Sequence, residues 1–377
     1  MITLQDLLST LKQVIEPSSG RDIVRLGWIR DLKMKESPAE SANSDAQMSF
    51  TLLLSDPTLS FARSVKKVCA DLLAETYPGV QIRIEQDSPM IGLGDDFRID
   101  GKPAERGPGE GVTNIIAIAS GKGGVGKSTV ASNLAVALAA EGYQVGLADV
   151  DIYGPSIPTM FGLESAKPRV SPERKIIPLE KYGVKLLSMG FLVDPDKAVI
   201  WRGPMVTSAV KQFLSDTEWG DLDYLLLDLP PGTGDIQLTI VQTVPLNGAV
   251  IVSTPQRVAL ADARKGVGMF DQVSVPVLGV IENMAYFTPP ELPDKKYYLF
   301  GKGGARALAQ DLNVHFLGEI PLEESIRTNA DEGTPVVTDP SQNASKIFKS
   351  VARDLVTQVE WRNAVRPATK VIDMVRG

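Results

Sequence analysis

The sequence is poor in the residue types that build disulfides and many metal sites. Its 377 residues include one cysteine, Cys69, and one histidine, His315. A single cysteine excludes an internal disulfide, which fits a reducing compartment such as the cytoplasm. The histidine falls in an apolar run, where a packed core or edge residue is more common than a catalytic base.

Long apolar runs and a basic start followed by apolar residues are missing as well. No window approaches the ~18 apolar residues of a membrane helix, and the early Asp6 does not fit a secretion signal. The formal net charge of −7 argues against nonspecific nucleic-acid binding. The 43% hydrophobic content is that of a soluble globular protein with a substantial core. We expect a cytoplasmic protein without a membrane span.

Two domains are predicted on either side of the Gly- and Pro-rich stretch DGKPAERGPGEGVTN. The first part combines helical and strand patterns and predicts a small α+β domain. The predicted division is a small domain at 1–99, a linker at 100–112, a larger domain at 113–365 and a tail at 366–377.

The larger domain contains short apolar runs separated by segments of helix length. These runs are NIIAIAS, QVGLADV, DYLLLDL, GAVIVST, VPVLGVIEN and VHFLGEIP. Continuous apolar strands that alternate with helices indicate a parallel sheet buried on both faces. The predicted fold class is therefore α/β, with a mostly parallel sheet flanked by helices.

The stretch SGKGGVGKST, residues 120–129, follows one of these strands and opens a helix. It fits the P-loop pattern, in which backbone N–H groups and a helix N-terminus cradle phosphates. Lys127 is expected to reach the β- and γ-phosphates and Ser128 to ligate Mg²⁺. The predicted nucleotide contacts are Gly121, Lys122, Gly123, Gly124, Val125, Gly126, Lys127, Ser128 and Thr129. The alternative is a glycine-rich turn that binds nothing. A second GKGG at 301–304 lacks the following Gly-Lys-Ser and cannot close such a cradle.

Three aspartates follow other apolar strands. Asp228, in YLLLDLPPG, is placed to hold Mg²⁺ directly or through water. Asp149 and Asp151 lie two residues apart, so an extended backbone would point both to one side. Two carboxylates near a triphosphate suit a metal shell and a group that positions water, whereas the alternative is a pair of capping or turn acids.

Six motifs together resemble the Mrp/ApbC family. They occur in the family's order between residue 113 and about residue 350, and they read KGGVGKS, DVDIYGPSIPTMFG, WRGPMVTSAVKQFL, DYLLLDLPPGTGDIQLT, VSTPQRVALADARKG and GVIENMAYF. The family comprises P-loop ATPases related to MinD and implicated in iron–sulfur cluster delivery. The N-terminal part, with EPSSGRDIVRLGWIRDL, looks like the PaaD-like domain often fused to them.

The resemblance implies roles for single residues, with ATP and Mg²⁺ as cofactors. Lys122 would reach across a homodimer to the partner's nucleotide, and Asp151 would position the attacking water. Asn283 resembles the family's adenine-reading asparagine, and Asp149 would serve the outer shell of the metal. The implied partners are a second copy, and apo iron–sulfur proteins or assembly factors. Trp201-Arg202-Gly203-Pro204 resembles a motif near the dimer contact.

The residues themselves give a second reason to assign Lys122 a role in trans. Lys127 alone serves the cradle within its own subunit. A further cation would stabilise the negative charge that develops during phosphoryl transfer, as an arginine finger does in other proteins. Lys122 would then link ATP binding to dimerisation. The alternative is a solvated loop lysine.

The chain departs from the family where many members carry Cys-Pro-x-Cys and two subunits offer four thiolates to a [4Fe–4S] cluster. Thr288, Pro289, Pro290 and Glu291 stand there instead. Neither threonine nor the hard glutamate oxygen suits such a cluster. Cys69 lies in a predicted helix among apolar neighbours, where a structural role is more common than ligation. The ligands of an iron–sulfur cluster are therefore not assigned.

Three functions are compatible with a P-loop of this kind. The first is an ATP-hydrolysing homodimer that carries or helps deliver iron–sulfur clusters. The second is a nucleotide-switched positioning or partition ATPase of the MinD/ParA kind, which would call for a basic amphipathic terminus or basic surface clusters. The third is a metabolic kinase, for which no second-substrate motif stands out. The sequence favours the first.

Overall fold

The structure is a computed structural model, and it describes residues 3–16, 21–26, 28–35, 47–53, 60–78, 80–87, 111–152, 154–172, 175–192, 209–210, 213–292 and 294–365. Contacts divide the chain into two units, Met1–Ile91 and Gly92–Gly377. Nearly all of the predicted linker, the predicted tail and the motif at 201–204 lie outside the described residues, so the predicted domain boundaries stay predictions. In the described part, no helix is long and apolar enough to cross a bilayer.

The described residues of the first unit form a three-stranded sheet, a two-stranded sheet and two helices. Its elements are α1 (Leu4–Leu11), β1 (Ile15–Glu16), β2 (Arg21–Asp22), β3 (Ile29–Lys35), β4 (Gln47–Leu53), α2 (Ser60–Thr76) and β5 (Gln81–Asp87). Thr3 and Asp6 form a capping box that begins α1, because each side chain accepts a hydrogen bond from the other's backbone N–H. Strand β4 lies in the centre, antiparallel to β3 and parallel to β5.

Alternate residues of β4 and one face of α2 build the core of this unit. Met48, Phe50 and Leu52 are buried, and so are Val65 and Cys69. The predicted burial of the cysteine is confirmed. Burial raises the pKa of the Cys69 thiol to about 12. A thiol of this kind stays protonated at neutral pH and is a poor metal ligand.

The second unit is a larger α/β layer structure. Its strands are β6 (Val112–Ala119), β7 (Val145–Asp149), β8 (Arg169–Val170), β9 (Ile176–Ile177), β10 (Leu179–Lys181), β11 (Val184–Ser188), β12 (Leu222–Asp228), β13 (Gly248–Ser253), β14 (Val277–Glu282) and β15 (Phe316–Glu319). Its labelled helices are α3 (Lys127–Ala140), α4 (Ile157–Met160), α5 (Met189–Leu192), α6 (Asp235–Thr243), α7 (Arg257–Gln272), α8 (Gly304–Asp311), α9 (Glu324–Asp331), a 3₁₀ turn (Val336–Thr338) and α10 (Asn343–Val365).

Eight strands form one sheet in the order β10-β11-β7-β12-β6-β13-β14-β15. All neighbouring pairs are parallel except β10 and β11, which form an antiparallel hairpin. Each of the six predicted apolar runs contains one of the parallel strands. The chain runs from β6 out to β7 on one side and later returns to β13 on the other. The carboxyl ends of β6 and β12 thus lie next to each other near the reversal of strand order, where α/β sheets bind ligands.

Helix α3 is buried over most of its length, from Lys127 to Leu138. Its small and branched apolar residues leave no polar face, which is typical of a helix covered on both sides. It packs against the sheet at β7 and β12 and against α10. The first residue of α3 is therefore fixed above the carboxyl edge of the sheet.

Candidate nucleotide-binding site

The loop between β6 and α3 has the backbone of a phosphate cradle. Gly124 and Gly126 adopt φ values of 80° and 78°, in the left-handed region that favours glycine. A Cβ on Gly126 would also lie 2.3 Å from the side-chain nitrogen of Asn283. No side chain caps the N-terminus of α3. Its first N–H groups and its positive dipole end are therefore available to an anion.

Lys127, the first residue of α3, forms a buried ion pair with Asp228 at the end of β12. Its Nζ lies 2.5 Å from Asp228 Oδ1 and 3.3 Å from Ser128 Oγ. The exposed fractions of the two side chains are 6% and 0%. Burial raises the pKa of Asp228, while the charge and hydrogen bond of Lys127 act in the opposite direction. The residues predicted for phosphate and for metal thus lie in contact.

The second carboxylate oxygen of Asp228 is not satisfied by the described residues. Its Oδ2 is buried and has no hydrogen-bond partner among the described residues. A buried carboxylate oxygen in this state is unfavourable unless a ligand satisfies it. Mg²⁺ prefers oxygen ligands and is commonly held by one or two protein oxygens together with phosphates and water. The donors Asp228 and Ser128 fit such an ion.

Asp149 lies at the end of β7, directly opposite Asp228 in the strand register. Its Oδ1 accepts from Asp151 N at 3.1 Å, and its Oδ2 accepts from Ser188 Oγ at 2.8 Å and Ile157 N at 3.3 Å. Burial and the nearby Asp228 carboxylate raise the pKa of Asp149 to about 7. Both of its oxygens therefore hold the surrounding backbone and Ser188 in place.

The extended geometry considered for Asp149 and Asp151 is not present. Strand β7 ends at Asp149, and the hydrogen bond from Asp151 N to the Asp149 side chain closes a turn. Asp151 itself is 7% exposed, and its Oδ1 accepts from Gly154 N at 3.3 Å. The structure places Asp151 two residues beyond the strand, on the loop that leaves the carboxyl edge.

Asn283 directly follows β14, and its side chain contacts the phosphate loop. Its Nδ2 donates to Val125 O at 2.8 Å, and its own backbone N–H donates to Ser253 O at 2.8 Å. The side chain is buried. The structure thus brings the predicted adenine-reading residue to the loop itself.

Lys122 lies in the loop and is half-buried. Its carbonyl accepts from Ser120 Oγ at 2.9 Å, which fixes the backbone at this point. Its ammonium group has no ion-pair partner among the described residues. Asp262 of helix α7, whose backbone contacts the neighbouring Gly121, pairs with Lys265 at 3.0 Å and not with Lys122.

The segment at 288–291, where many Mrp/ApbC proteins carry Cys-Pro-x-Cys, has no thiol. Thr288 and Pro289 are half-buried, and Pro290 and Glu291 are exposed. In the described ranges, no group of three or more His, Cys, Asp or Glu side chains could hold a metal ion. Cys69, the one cysteine of the chain, is buried in the first unit.

Ser188 and Glu282 were not anticipated as part of this region. Ser188 ends β11, a strand that the apolar runs did not reveal, and it holds Asp149. Glu282 ends β14, and its Oε2 accepts from Ala305 N at 2.5 Å near the start of α8. Each is a polar residue that terminates a strand at the carboxyl edge, the same signal that identified Asp228.

Residues 111–356 match the ParA-type family described as NUBPL iron-transfer P-loop NTPase. The chain belongs to this family. It is 45% identical over 366 residues to an iron-sulfur cluster carrier protein of Synechocystis, covering 95% of this chain and 98% of that protein. This match extends through the first unit, whereas the resemblance of that unit to PaaD stays a prediction.

Two solved structures agree with the fold. A nucleotide-binding protein of Archaeoglobus fulgidus in complex with ADP is 43% identical, with a TM-score of 0.55, and the match covers 61% of this chain and 90% of that one. The septum site-determining protein MinD of Pyrococcus horikoshii, complexed with Mg-ADP, is 23% identical with a TM-score of 0.50, over 66% of this chain and 98% of that one. The second unit of the chain is a P-loop NTPase with a MinD-like fold.

Proposed function

We propose that the chain is an ATP-binding and ATP-hydrolysing homodimer that helps to deliver iron–sulfur clusters to apoproteins in the cytoplasm. Relatives named as iron-sulfur cluster carrier or transfer proteins support the delivery role. The observation that carries the ATP-dependent part is the buried Lys127–Asp228 pair at the end of the phosphate loop. The ADP in the Archaeoglobus relative agrees with it.

In the proposed mechanism, phosphate replaces Asp228 as the partner of Lys127. The α3 N-terminus and the loop N–H groups bind the phosphate oxygens, and Lys127 turns toward the β- and γ-phosphates. Asp228 and Ser128 would then be free to hold Mg²⁺, which would supply positive charge against the negative charge that develops on the phosphate. Asp151 positions the attacking water, and Asp149 orders the turn that carries Asp151 and serves the outer shell.

Lys122 supplies the step that needs a second copy. Its ammonium has no ion-pair partner among the described residues, and its backbone is held by Ser120. We place this charge on the nucleotide of the partner subunit, where it stabilises the transferred phosphoryl group. ATP binding and dimerisation are then thermodynamically linked. Asn283 remains the proposed adenine contact.

The cluster is the cargo in this scheme, and the chain offers few ligands for it. Four thiolates are the usual ligand set of a [4Fe–4S] cluster. The chain has one cysteine, and its thiol is buried with a raised pKa. The proposed homodimer would contain only two such thiols. The thiolates are therefore assigned to the donor and acceptor proteins between which the cluster passes.

The proposal is tested by phosphate release under anaerobic conditions. The assay contains a cluster-loaded donor and an apo acceptor. Wild-type protein should release phosphate only with Mg²⁺ and ATP, and Lys127→Ala should lose at least about tenfold in rate, since Lys127 contacts the transferred group. Lys346→Ala, a change at an exposed lysine of α10, is the matched control and should keep the wild-type rate. Equal rates for Lys127→Ala and the control would contradict the proposal.

A further inference from the structure

Glu282, the last residue of β14, and the next two residues, Asn283 and Met284, contact two different loops. Asn283 donates its side-chain N–H to Val125 O at 2.8 Å, inside the phosphate loop. The Met284 methyl lies 3.7 Å from the point where a Cβ on Gly126 would stand. Glu282 faces away from that loop and binds the start of α8. The end of β14 therefore contacts the phosphate loop and a second loop at once.

Met284 has a backbone conformation that needs an explanation. Its φ of 54° lies in the left-handed region, which is rare for a bulky residue. The backbone on either side is anchored, since Asn283 N donates to Ser253 O at 2.8 Å and Ala285 N donates to Ile320 O at 2.9 Å. Strained residues of this kind persist where their surroundings hold them, and they cluster at switch regions.

Glu282 occupies the N-terminus that the second GKGG sequence creates. Gly303 precedes α8 with a φ of 65°, much as Gly126 precedes α3. The Ala305 N–H that would face a phosphate here donates to the buried Glu282 carboxylate instead. The Ala305 N–H thus already has a hydrogen-bond acceptor within the protein, and the helix start after the second GKGG attaches to the end of β14.

The described residues between these two attachments, 285–292 and 294–303, form a mostly exposed excursion. Backbone hydrogen bonds of 2.8 Å in both directions join Phe287 and Tyr297 and close it. Beyond this bridge, Leu299 is exposed. Lys296 Nζ stacks 3.7 Å from the ring centre of Tyr286, at the base of the excursion. Lys296 of the excursion therefore packs on Tyr286, two residues after Met284.

Helix α7 and the residues before it give a second physical connection between the two loops. A Cβ on Gly121 would lie 2.2 Å from the carbonyl carbon of Asp262, so the phosphate loop touches α7. A Cβ on Gly304 would lie 2.8 Å from the carbonyl oxygen of Pro255, just before the same helix. Movement of either loop is thus constrained by shared close contacts.

We propose that Asn283 and Met284 are positioning residues which hold the phosphate loop and make the segment 285–303 respond to nucleotide. The inference rests on the proposed binding of ATP at this loop. Bound phosphate fixes the loop through its N–H groups and so stabilises the Val125–Asn283 contact. That contact fixes Met284, and Met284 fixes the base of the excursion. Opening of the excursion then requires release of a loop that nucleotide holds closed.

Trypsin cleavage after Lys295 and Lys296, located by mass spectrometry, measures this coupling. Full coupling at a nucleotide concentration of about 100 times Kd predicts about 100-fold slower cleavage, and no coupling predicts no change. With Mg²⁺ and a non-hydrolysable ATP analogue we expect at least about tenfold slowing in wild-type protein. Asn283→Ala, studied at the same ratio of nucleotide to its own Kd, should show less than about threefold slowing. Asn313→Ala, the same change at an exposed asparagine outside this segment, is the control and should behave as wild type.

Other results would contradict the inference in distinguishable ways. Nucleotide binding with unchanged cleavage contradicts the coupling and leaves the proposed function standing, whereas a wild-type protein that binds no nucleotide contradicts both. Slowing in Asn283→Ala equal to that in wild type also overturns the inference. If Asn283→Ala does not fold, Met284→Gly removes the methyl contact and the strain, and it should lose the slowing while retaining nucleotide binding. A loss of affinity in Asn283→Ala that is equal for ATP and GTP supports the positioning role, whereas a loss confined to ATP supports base reading alone.

Discussion

Removal of the Lys127 charge tests whether the buried pair at the phosphate loop is as interdependent as its geometry indicates. Lys127→Met keeps a long unbranched side chain but leaves Asp228 buried without its counter-ion. Both partners are almost fully buried in the wild-type protein, at 2.5 Å. Breaking such a pair from one side costs about 3–5 kcal/mol in the free energy of unfolding.

The double variant Lys127→Met/Asp228→Leu should recover most of this loss. It removes both charges, and it also removes the like charge that raises the pKa of Asp149. Apolar replacement of a whole buried pair is often neutral or stabilising. We expect the double variant within about 1 kcal/mol of wild type, which gives a coupling energy of about 3 kcal/mol or more.

Native-state hydrogen exchange of β12 amides, without nucleotide or metal, measures these free energies for the second unit alone. The exposed pair Arg264–Asp311, at 2.9 Å, provides a matched cycle that should show a coupling energy close to zero. A coupling energy for the buried pair no larger than that for the exposed pair would show that Lys127 and Asp228 do not depend on each other.

Three further outcomes are expected. Cys69 should resist a thiol reagent at pH 8 in the native protein and react with it in denaturant, and rapid labelling of the native protein would contradict its burial. The raised pKa of the thiol stabilises the folded state below pH 9, and this contribution is lost as the pH rises toward about 12. Lys122→Ala should abolish ATP-dependent dimerisation in light scattering while ATP still binds, and an unchanged ATP-bound dimer would remove the role in trans. Gly126→Ala should weaken nucleotide affinity at least about tenfold because its Cβ would meet Asn283. The control Gly142→Ala, where φ is 96° and a Cβ would meet nothing, should leave affinity unchanged and cost about 1–2 kcal/mol of stability; equal affinities for the two variants would contradict the contact.

The parallel sheet and the P-loop could be predicted because their sequence signals are local. Parallel strands buried on both faces read as uninterrupted apolar runs, and glycines mark the turns that need a left-handed φ. The hairpin of β10 and β11 was missed because it is short and carries charged residues such as Lys185, whose Nζ donates to Trp219 O at 2.6 Å. Its turn at Tyr182 and Gly183 has two positive φ values, 53° and 74°, as hairpin turns often do.

The contacts within the site could not be predicted because they join residues far apart in the chain. Sequence spacing does not show that Lys127 forms an ion pair with Asp228, since the rotamer of a long lysine side chain depends on the partners around it. Nor does it show that Asn283 binds Val125 O, 158 positions away. The turn between Asp149 and Asp151 could not be predicted from their spacing either, because it depends on the hydrogen bond that the Asp149 carboxylate accepts from Asp151 N.

In the proposed function, this chain uses ATP to move a cluster for which it does not supply the thiolates. The most direct measurement is the anaerobic rate of cluster transfer from a thiolate-ligated donor to an apo acceptor, with iron counted on all three proteins. We predict faster transfer only when the chain, Mg²⁺ and ATP are all present, with no iron retained on the chain itself. A rate unaffected by ATP, or a stoichiometric cluster isolated on the chain alone, would contradict the proposed function.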